Sequence, residues 1–583
     1  MIGLLTFKEE IAGLLSSLTA MSPAEVASLL EIPPEAGMGE YAFPCFALAR
    51  LQKKPPHIIA AELADQIKPG SFSGEAQNKG PYLNFYIDRL YLFKKLLPEI
   101  IDIGAGYGKE EEHNHTVVID YSAPNIAKPF GVGHLRSTVI GSALYRLYRA
   151  LGYRVVGINH IGDWGTQFGK LIVAFRRWGN SSELEKDPVH YLYQLYVQFH
   201  QEAEKEPELD EEARYWFRQL ELEDEDAVGM WEHFRGLSLI EFQRLYRLMG
   251  IEFDSYQGES FYNDMLDGTV ELVREKGLLK ESEGALLADL EPHGLPPCLL
   301  RKKDGAALYM TRDLAAAIYR YKKYRFSKLL YVVGAEQTLH FKQFFKLLEL
   351  MGFPWAGDCV HVPFGLIHFK DGRMSTREGK VIFLEEVIDK AVDMAQNIIR
   401  EKNPDLANKE EAAKMVGLGA IIFGDLVNDR IKDVEFDWDK VLDFSGETAP
   451  YIQYAHARIC SILRKAKGGN VTADPEKGRL AGGQAGELVR AEGLLEAPEE
   501  EQLLITLARF KEQIRRAAEE YRPSFLARYL LDLARDFNKF YHNCPVLTAA
   551  DGLKEARLLL IDGVRVVLHN GLDLLGIEAP EEM

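Results

Sequence analysis

The apolar and polar positions of this chain change period along its length, and those changes divide it. At residues 116–159 an apolar run of strand length, TVVIDY, comes before a helix-period stretch, HLRSTVIGSALYRLYRAL, which Gly152 ends. YRVVGIN then supplies a second apolar run. The same order returns at 328–367 with KLLYVVG, the helical FKQFFKLLELMG and CVHVPFGLI. Strand, helix and strand at this spacing predict a parallel, doubly wound α/β sheet of the Rossmann type. Such sheets bind ligands beyond the carboxyl ends of their strands. Residues 1–110 mix periods instead. MSPAEVASLLEI predicts a helix capped by Ser22 with Pro23 at its first position, HIIAAELADQI a second helix, and GPYLNFYID a strand. The glycines and charges of IGAGYGKEEEHNH, at 103–115, suit a linker. From 446 onward the pattern is helical, broken by the loop-like GRLAGGQAGELVRAEG at 478–493. No internal repeat is present. The expected organisation is an α+β domain over 1–110, the α/β domain over 116–445 and an all-α bundle over 446–583.

The turn between TVVIDY and its helix carries unusual residues. A helix that starts near Gly133 aims its free N–H groups and positive dipole end at the sheet edge. Gly131 and Gly133 let backbone approach a bulky anion. His134 can donate to a phosphate oxygen, and Lys128 adds a point charge. Neither common phosphate-loop pattern is matched, and alone the turn also fits a tight strand–helix connection with a buried histidine. With two glycines in three positions, a side chain at Gly131 is expected to be disfavoured, through positive φ or contact with a nucleotide. A second segment, FKDGRMSTREGKVIFLEE at 369–386, gathers Arg373, Arg377 and Lys380 within eight residues around Met374, Ser375 and Gly379. Such a cationic loop suits closure over a triphosphate. Read alone, it is more often a solvated basic loop.

Composition narrows the class. A chain of 583 residues is too long for one core, and 47% hydrophobic with 27% charged residues is ordinary for a globular protein. The net charge of −19 disfavours a nucleic-acid partner as a global sum, but a local basic face can still bind RNA. Acids concentrate at 201–226, which predicts a solvated helical insertion over 177–262. Five scattered cysteines argue against a disulfide framework and against a structural zinc site. No basic leader and no membrane-length apolar run is found, so a reducing, cytoplasmic setting is expected.

PFGVGHLRS is similar to the "HIGH" element, and GRMSTREGK to the "KMSKS" element, of class I aminoacyl-tRNA synthetases. Together with SAPNIAKPF, NHIGDWGTQFGKL, LYMTRDLAAAIYRY, VVGAEQTLHFKQ and APYIQYAHARI, the chain resembles the arginyl-tRNA synthetases specifically. GEYAFP, GPYLNF and LGIEAPEEM extend the resemblance over nearly the whole length. The resemblance implies ligation of L-arginine to its cognate tRNA through an arginyl-adenylate, with ATP as its Mg²⁺ complex, by a monomeric enzyme.

The resemblance also implies site residues. His134, Lys128, Arg373 and Arg377 carry catalysis. Gly131, Gly133, His134, Gly334, His340, Met374 and Ser375 meet ATP. Asn125, Asn159, Tyr309, Asp313 and Gln337 hold arginine. Tyr309 and Asp313 lie four apart on one predicted helix face, where the Asp313 carboxylate can take the guanidinium fork. Without the resemblance, Asp313 reads as a surface acid paired with Arg312 or Arg320. A cysteinyl enzyme of the same class would want a cysteine-liganded zinc, which these cysteines do not supply.

For tRNA, the resemblance implies an anticodon-binding bundle of the "DALR" type that uses Tyr451, Tyr454, His456, Arg458, Arg528, Arg535 and Tyr541. The N-terminal domain would touch the tRNA elbow. One bundle helix sets Leu526, Leu530, Leu533 and Phe537 against Arg528, Arg535 and Lys539, with Asp532 on the basic side.

Two departures stand out. Gly131 occupies the usual position of the first HIGH histidine. The loop reads RMSTR, so Arg373 and Thr376 replace the two lysines, and Lys128 is the compensating charge. The loss at Gly131 motivates an alternative, a catalytically silent paralogue that acts as an RNA-binding module.

Overall fold

The computed structural model describes all residues except 1–2, 36, 69, 71, 127–129, 304, 370–381, 439–441, 467 and 469–493. Lys128, Arg373, Met374, Ser375, Thr376, Arg377 and Lys380 therefore lie outside the described residues, as does 478–493.

The N-terminal part is an antiparallel sheet of β1 (Tyr41–Pro44), β2 (Gly74–Lys79) and β3 (Tyr82–Ile87), in the order β1–β3–β2, with helices around it. Its helix Pro23–Leu29 starts with a capping box between Ser22 and Glu25 and has Pro23 in its first turn, as the pattern predicts. The 103–115 segment is no loose tether. Tyr107 is buried against Phe510, and Asn570 Nδ2 donates to the Gly104 and Tyr107 carbonyls at 2.9 and 3.0 Å.

The parallel sheet holds β4 (Thr116–Asp120), β5 (Arg154–Ile158), β9 (Lys328–Gly334) and β10 (Cys359–Phe364) in the order β10–β9–β4–β5. Every residue of β4 is buried, which is why its centre, Val117–Ile119, is apolar on both faces. From β4 the chain moves to β5 on one side and returns later to β9 on the other. That reversal opens a crevice at the carboxyl ends of β4 and β9. The helix Leu135–Ala150 lies close against β4 because Gly141 has no side chain: a Cβ there would fall 2.2 Å from Tyr121 Cγ. Gly152, at φ 81°, ends the connection into β5.

Between β5 and β9 the acidic stretch is helical, as expected: Pro188–Ala203, Glu208–Glu221 and Glu225–Leu248. After it comes a small antiparallel sheet of β6 (Leu279–Ser282), β7 (Ala285–Ala288) and β8 (Cys298–Arg301), which the periodicity does not announce. Its first turn, Glu283–Gly284, has positive φ at both residues, as two-residue hairpins require. Beyond β10, β11 (Ile367–Phe369) pairs in parallel with β12 (Val434–Phe436).

Helices Ala449–Ala466, Pro498–Ala508, Phe510–Glu519, Ser524–Asn543 and Leu553–Leu574 form the C-terminal bundle among the described residues. Leu526, Leu530, Leu533 and Phe537 all face its core. No described helix is long and apolar enough to cross a membrane.

Candidate active site

The chain that follows the basic segment meets the glycine turn at the crevice. Val132 N–H donates to the Ile382 carbonyl at 3.2 Å and Leu384 N–H to the Phe130 carbonyl at 3.0 Å, with Gly131 bridged to Phe383. The chain that leaves the basic segment at 382 is thus tied to the glycine turn. The chain that enters it, β11, is tied to the same helix by Arg136. Arg136 is buried, pairs with Asp425 at 2.7 Å, and donates from Nη1 to the Gly365 and Lys432 carbonyls at 2.8 Å. Gly365 stands before β11 and Lys432 before β12. Sequence reasoning missed Arg136. Its signal was a cation among apolar neighbours on a helix of the buried sheet.

The glycine turn departs from expectation. A short 3-10 turn, Val132–His134, precedes the helix, which starts at Leu135. Gly131 has φ −91° and ψ 171°, an extended conformation open to any residue, so strain gives no reason for glycine there. A Cβ on Gly133 would meet nothing within 4 Å. The strain lies earlier, at Ser122 (φ 70°) and Ala123 (φ 47°), just past β4. Ser122 is pinned there. Its N–H donates to Ser137 Oγ at 2.9 Å, and Ser137 in turn donates to the Val332 carbonyl of β9 at 2.7 Å. His134 stacks on Phe130, with ring centroids 5.3 Å apart.

Around the amino-acid side, Asn125 bridges to Gly162, and Asn159 follows β5 with its side chain fully buried. Tyr309 and Asp313 open the helix Tyr309–Tyr324, as the spacing predicts. His340 Nε2 stands 2.6 Å from Asp313 Oδ2, which joins two residues expected in the site. Arg312 and Arg320 are engaged elsewhere, Arg312 on Glu259 O and Asn263, Arg320 in a buried pair with Asp120. Tyr309 is 70% exposed at the rim. Gly334 ends β9, and Gln337 lies exposed on the short turn that starts the next helix.

A further carboxylate belongs to this corner. Burial pushes the Glu259 carboxyl up to about 7; Asp163 and Asp313 add to the rise and Arg312 opposes it. Its neighbour Ser260 is fixed by Asp163, whose fully buried carboxylate also takes Arg235 Nε at 2.7 Å. Asp163 belongs to the NHIGDWG segment, so that motif braces the chain next to Glu259. Glu259 was missed because it sits in the stretch assigned to the insertion.

The description "tRNA synthetases class I (R), catalytic domain" matches residues 97–438, "Arginyl tRNA synthetase N terminal domain" 5–87 and "DALR anticodon binding domain" 452–583. The chain belongs to the arginyl-tRNA synthetase family. It is 47% identical over 582 residues to the arginine–tRNA ligase of Halothermothrix orenii, covering 100% of both chains. It is 47% identical to that of Clostridioides difficile, covering 97% of each. Thermus thermophilus arginyl-tRNA synthetase superposes with TM-score 0.82 at 29% identity, covering 99% of both chains.

On the family's DALR bundle, the residues expected to face tRNA divide. Tyr454 (41% exposed) and Tyr541 (40% exposed) flank the Arg458 guanidinium, which lies 4.6 and 4.9 Å from their ring centroids. Asn538 bridges Arg458 and the Tyr451 hydroxyl. Arg528 is exposed and reaches the Val427 carbonyl at 3.2 Å, while Arg535 is tied to Glu447 and Asp532. His456 is a correction. It is buried, its Nδ1 is 2.9 Å from the Pro580 carbonyl, and burial lowers its imidazole to about 3. A neutral, enclosed histidine packs the bundle and does not face RNA.

The Glu259 carboxyl gives a pH prediction for this synthetase. Below about pH 7 it is mostly neutral, and a guanidinium binds best to its anion. With Glu259 facing the guanidinium, arginine binding is expected to strengthen as pH rises from about 6 to about 8, by a factor approaching ten per unit below about 7, and then to level. Calorimetric titration with arginine across this range reads the slope, and Glu259→Gln should flatten it. A slope that survives the substitution removes Glu259 from the pocket.

Proposed function

We propose that ATP and arginine meet in the crevice between the carboxyl ends of β4 and β9. There this enzyme, an arginine–tRNA ligase by family, activates arginine and passes it to tRNA. The observation that supports the reading is the backbone pairing of residues 130–132 with 382–384, which ties the chain just after the basic segment to the glycine turn.

The arginine carboxylate attacks the α-phosphate of ATP and pyrophosphate leaves. A ribose hydroxyl of the tRNA's terminal adenosine then attacks the acyl carbon and AMP leaves. The reactants supply the nucleophiles, so the protein's task is placement and charge stabilisation. His134 and the helix N-terminus face the phosphates, with Gly131, Gly133, Gly334, Met374 and Ser375 around the nucleotide. Lys128, Arg373 and Arg377 balance phosphate charge, and Mg²⁺ enters with ATP. Asp313, with Glu259 beside it, takes the guanidinium. Tyr309 and Gln337 border it, and Asn125 and Asn159 hold the amino-acid end. Facing Asp313, His340 orients that carboxylate. Tyr454, Tyr541 and Arg458 form a stacking platform for unpaired bases. We place the enzyme in the cytoplasm as a monomer.

Arginine-dependent ATP–pyrophosphate exchange, run with and without the cognate tRNA, is the direct test. Exchange driven by a different amino acid, or by none, would sink the reading. Lys128→Ala is expected to lower kcat of adenylate formation and leave tRNA affinity unchanged in filter binding. Equal kcat would hand the phosphate role to Arg373, Arg377 or Lys380.

A further inference from the structure

A run of side chains crosses from the amino-acid corner to the phosphate turn. Asn159 Nδ2 donates to the Tyr246 hydroxyl at 2.9 Å, and that hydroxyl is 2.7 Å from Ser122 Oγ. Thr138 Oγ1 is 2.8 Å from Ser122 Oγ and 2.7 Å from the His134 carbonyl. Tyr246 comes from the inserted helix Glu225–Leu248 and the others from the sheet domain. Asn159, Ser122 and Tyr246 are buried, so their polar atoms depend on partners within the protein.

The protons can be counted. Thr138 shares its hydroxyl hydrogen between Ser122 Oγ and the His134 carbonyl, to both of which it donates. Asn159 Nδ2 donates to the Tyr246 hydroxyl, whose own hydrogen is then available to Ser122 Oγ. One Nδ2 hydrogen of Asn159 is used in this way, and Oδ1 is left buried with no hydrogen-bond partner.

We infer that Tyr246 is a positioning residue that holds the Asn159 carbonyl oxygen ready to accept from the α-ammonium of the amino-acid substrate. This rests on the arginine pocket proposed above. Arginine carries two groups of donors, and its guanidinium has Asp313 and Glu259. The ammonium is the donor that remains, whereas the carboxylate would be repelled by an amide oxygen. The same chain seats Ser122 in its left-handed conformation and ends on His134, so one hydroxyl from the insertion serves both halves of the crevice.

The test uses the full-length enzyme in arginine-dependent exchange with the cognate tRNA present. Tyr246→Phe keeps the ring, which packs on Phe130 and Phe253, and removes the hydroxyl. Asn159 is then free to turn. The KM for arginine should rise about tenfold while the KM for ATP stays within about twofold. The deciding readout is inhibition by guanidinopentanoate, which is arginine without its α-amino group. Its inhibition constant should be the same in Tyr246→Phe and the parent enzyme. Ser122→Gly, which suits the positive φ, cuts the chain one link further on. It should show the same selective loss, and it carries the test if Tyr246→Phe does not fold. Parallel weakening of arginine and of the deamino analogue would overturn the inference, as would an unchanged arginine KM. Absence of arginine-dependent exchange in the parent enzyme, seen before any substitution, would instead take down the proposed function.

Discussion

Asp313→Asn is expected to raise the KM for arginine by about 30- to 5,000-fold and to change the KM for ATP by less than about threefold. The range follows from the roughly 2–5 kcal/mol lost when one side of a buried, hydrogen-bonded charge pair is removed. Asn keeps the size of the side chain and can still face His340 across the 2.6 Å contact. What disappears is the charge that the guanidinium fork needs. No cation of its own helix competes for that charge, since Arg312 reaches Glu259 O and Asn263 and Arg320 is paired with Asp120. Steady-state exchange kinetics with each substrate varied in turn decide the matter. An unchanged KM for arginine would remove Asp313 from the pocket.

Arg136→Met should destabilise the fold by about 3–5 kcal/mol, because it strands the Asp425 carboxylate in the interior. The two side chains are only 1% and 2% exposed. Burial already raises the Asp425 carboxyl, and the Arg136 guanidinium is what pulls it back down. With the arginine gone, that carboxyl titrates well above its unfolded value. The single variant's deficit therefore shrinks as pH falls through this raised pKa, because protonation removes the stranded charge. Adding Asp425→Leu should recover most of the lost stability. It should not recover the KM for ATP, because the Arg136 bonds to the Gly365 and Lys432 carbonyls remain broken and the base of the basic segment is no longer fixed to the helix. Urea unfolding of the single and double variants, followed by ATP kinetics, separates the two effects. Full recovery of both would reduce Arg136 to a packing residue.

Much of this protein is local information. Val117–Ile119 of β4 and Leu329–Val332 of β9 read as apolar runs because both faces of a covered parallel sheet are dry there. Ser22, Pro23 and Glu25 announce a helix start because a cap is a contact between near neighbours. Leu526, Leu530, Leu533 and Phe537 declare a buried face because the helical period alone sets which side chains share a side. The burial of His456 was legible in the same way, since Ile452, His456, Ile459 and Leu463 follow the helical period. The motif segments were equally plain, because phosphate and guanidinium chemistry restrict which residues can serve.

What only the tertiary structure decided is which segments meet. A period reports a face, never the partner that covers it. Residues 130–132 pair with 382–384, Arg136 reaches Asp425, and Tyr246 of the insertion joins Ser122 and Asn159. Each is a contact across a long stretch of chain with no local trace. The conformation at Gly131 was likewise settled by its pairing with Phe383, which holds the backbone extended whatever the side chain. Glu259 shows the same limit for charge. A carboxyl's affinity for its proton depends on the burial and the neighbouring acids that folding assembles around it, and none of these is written beside it in the sequence.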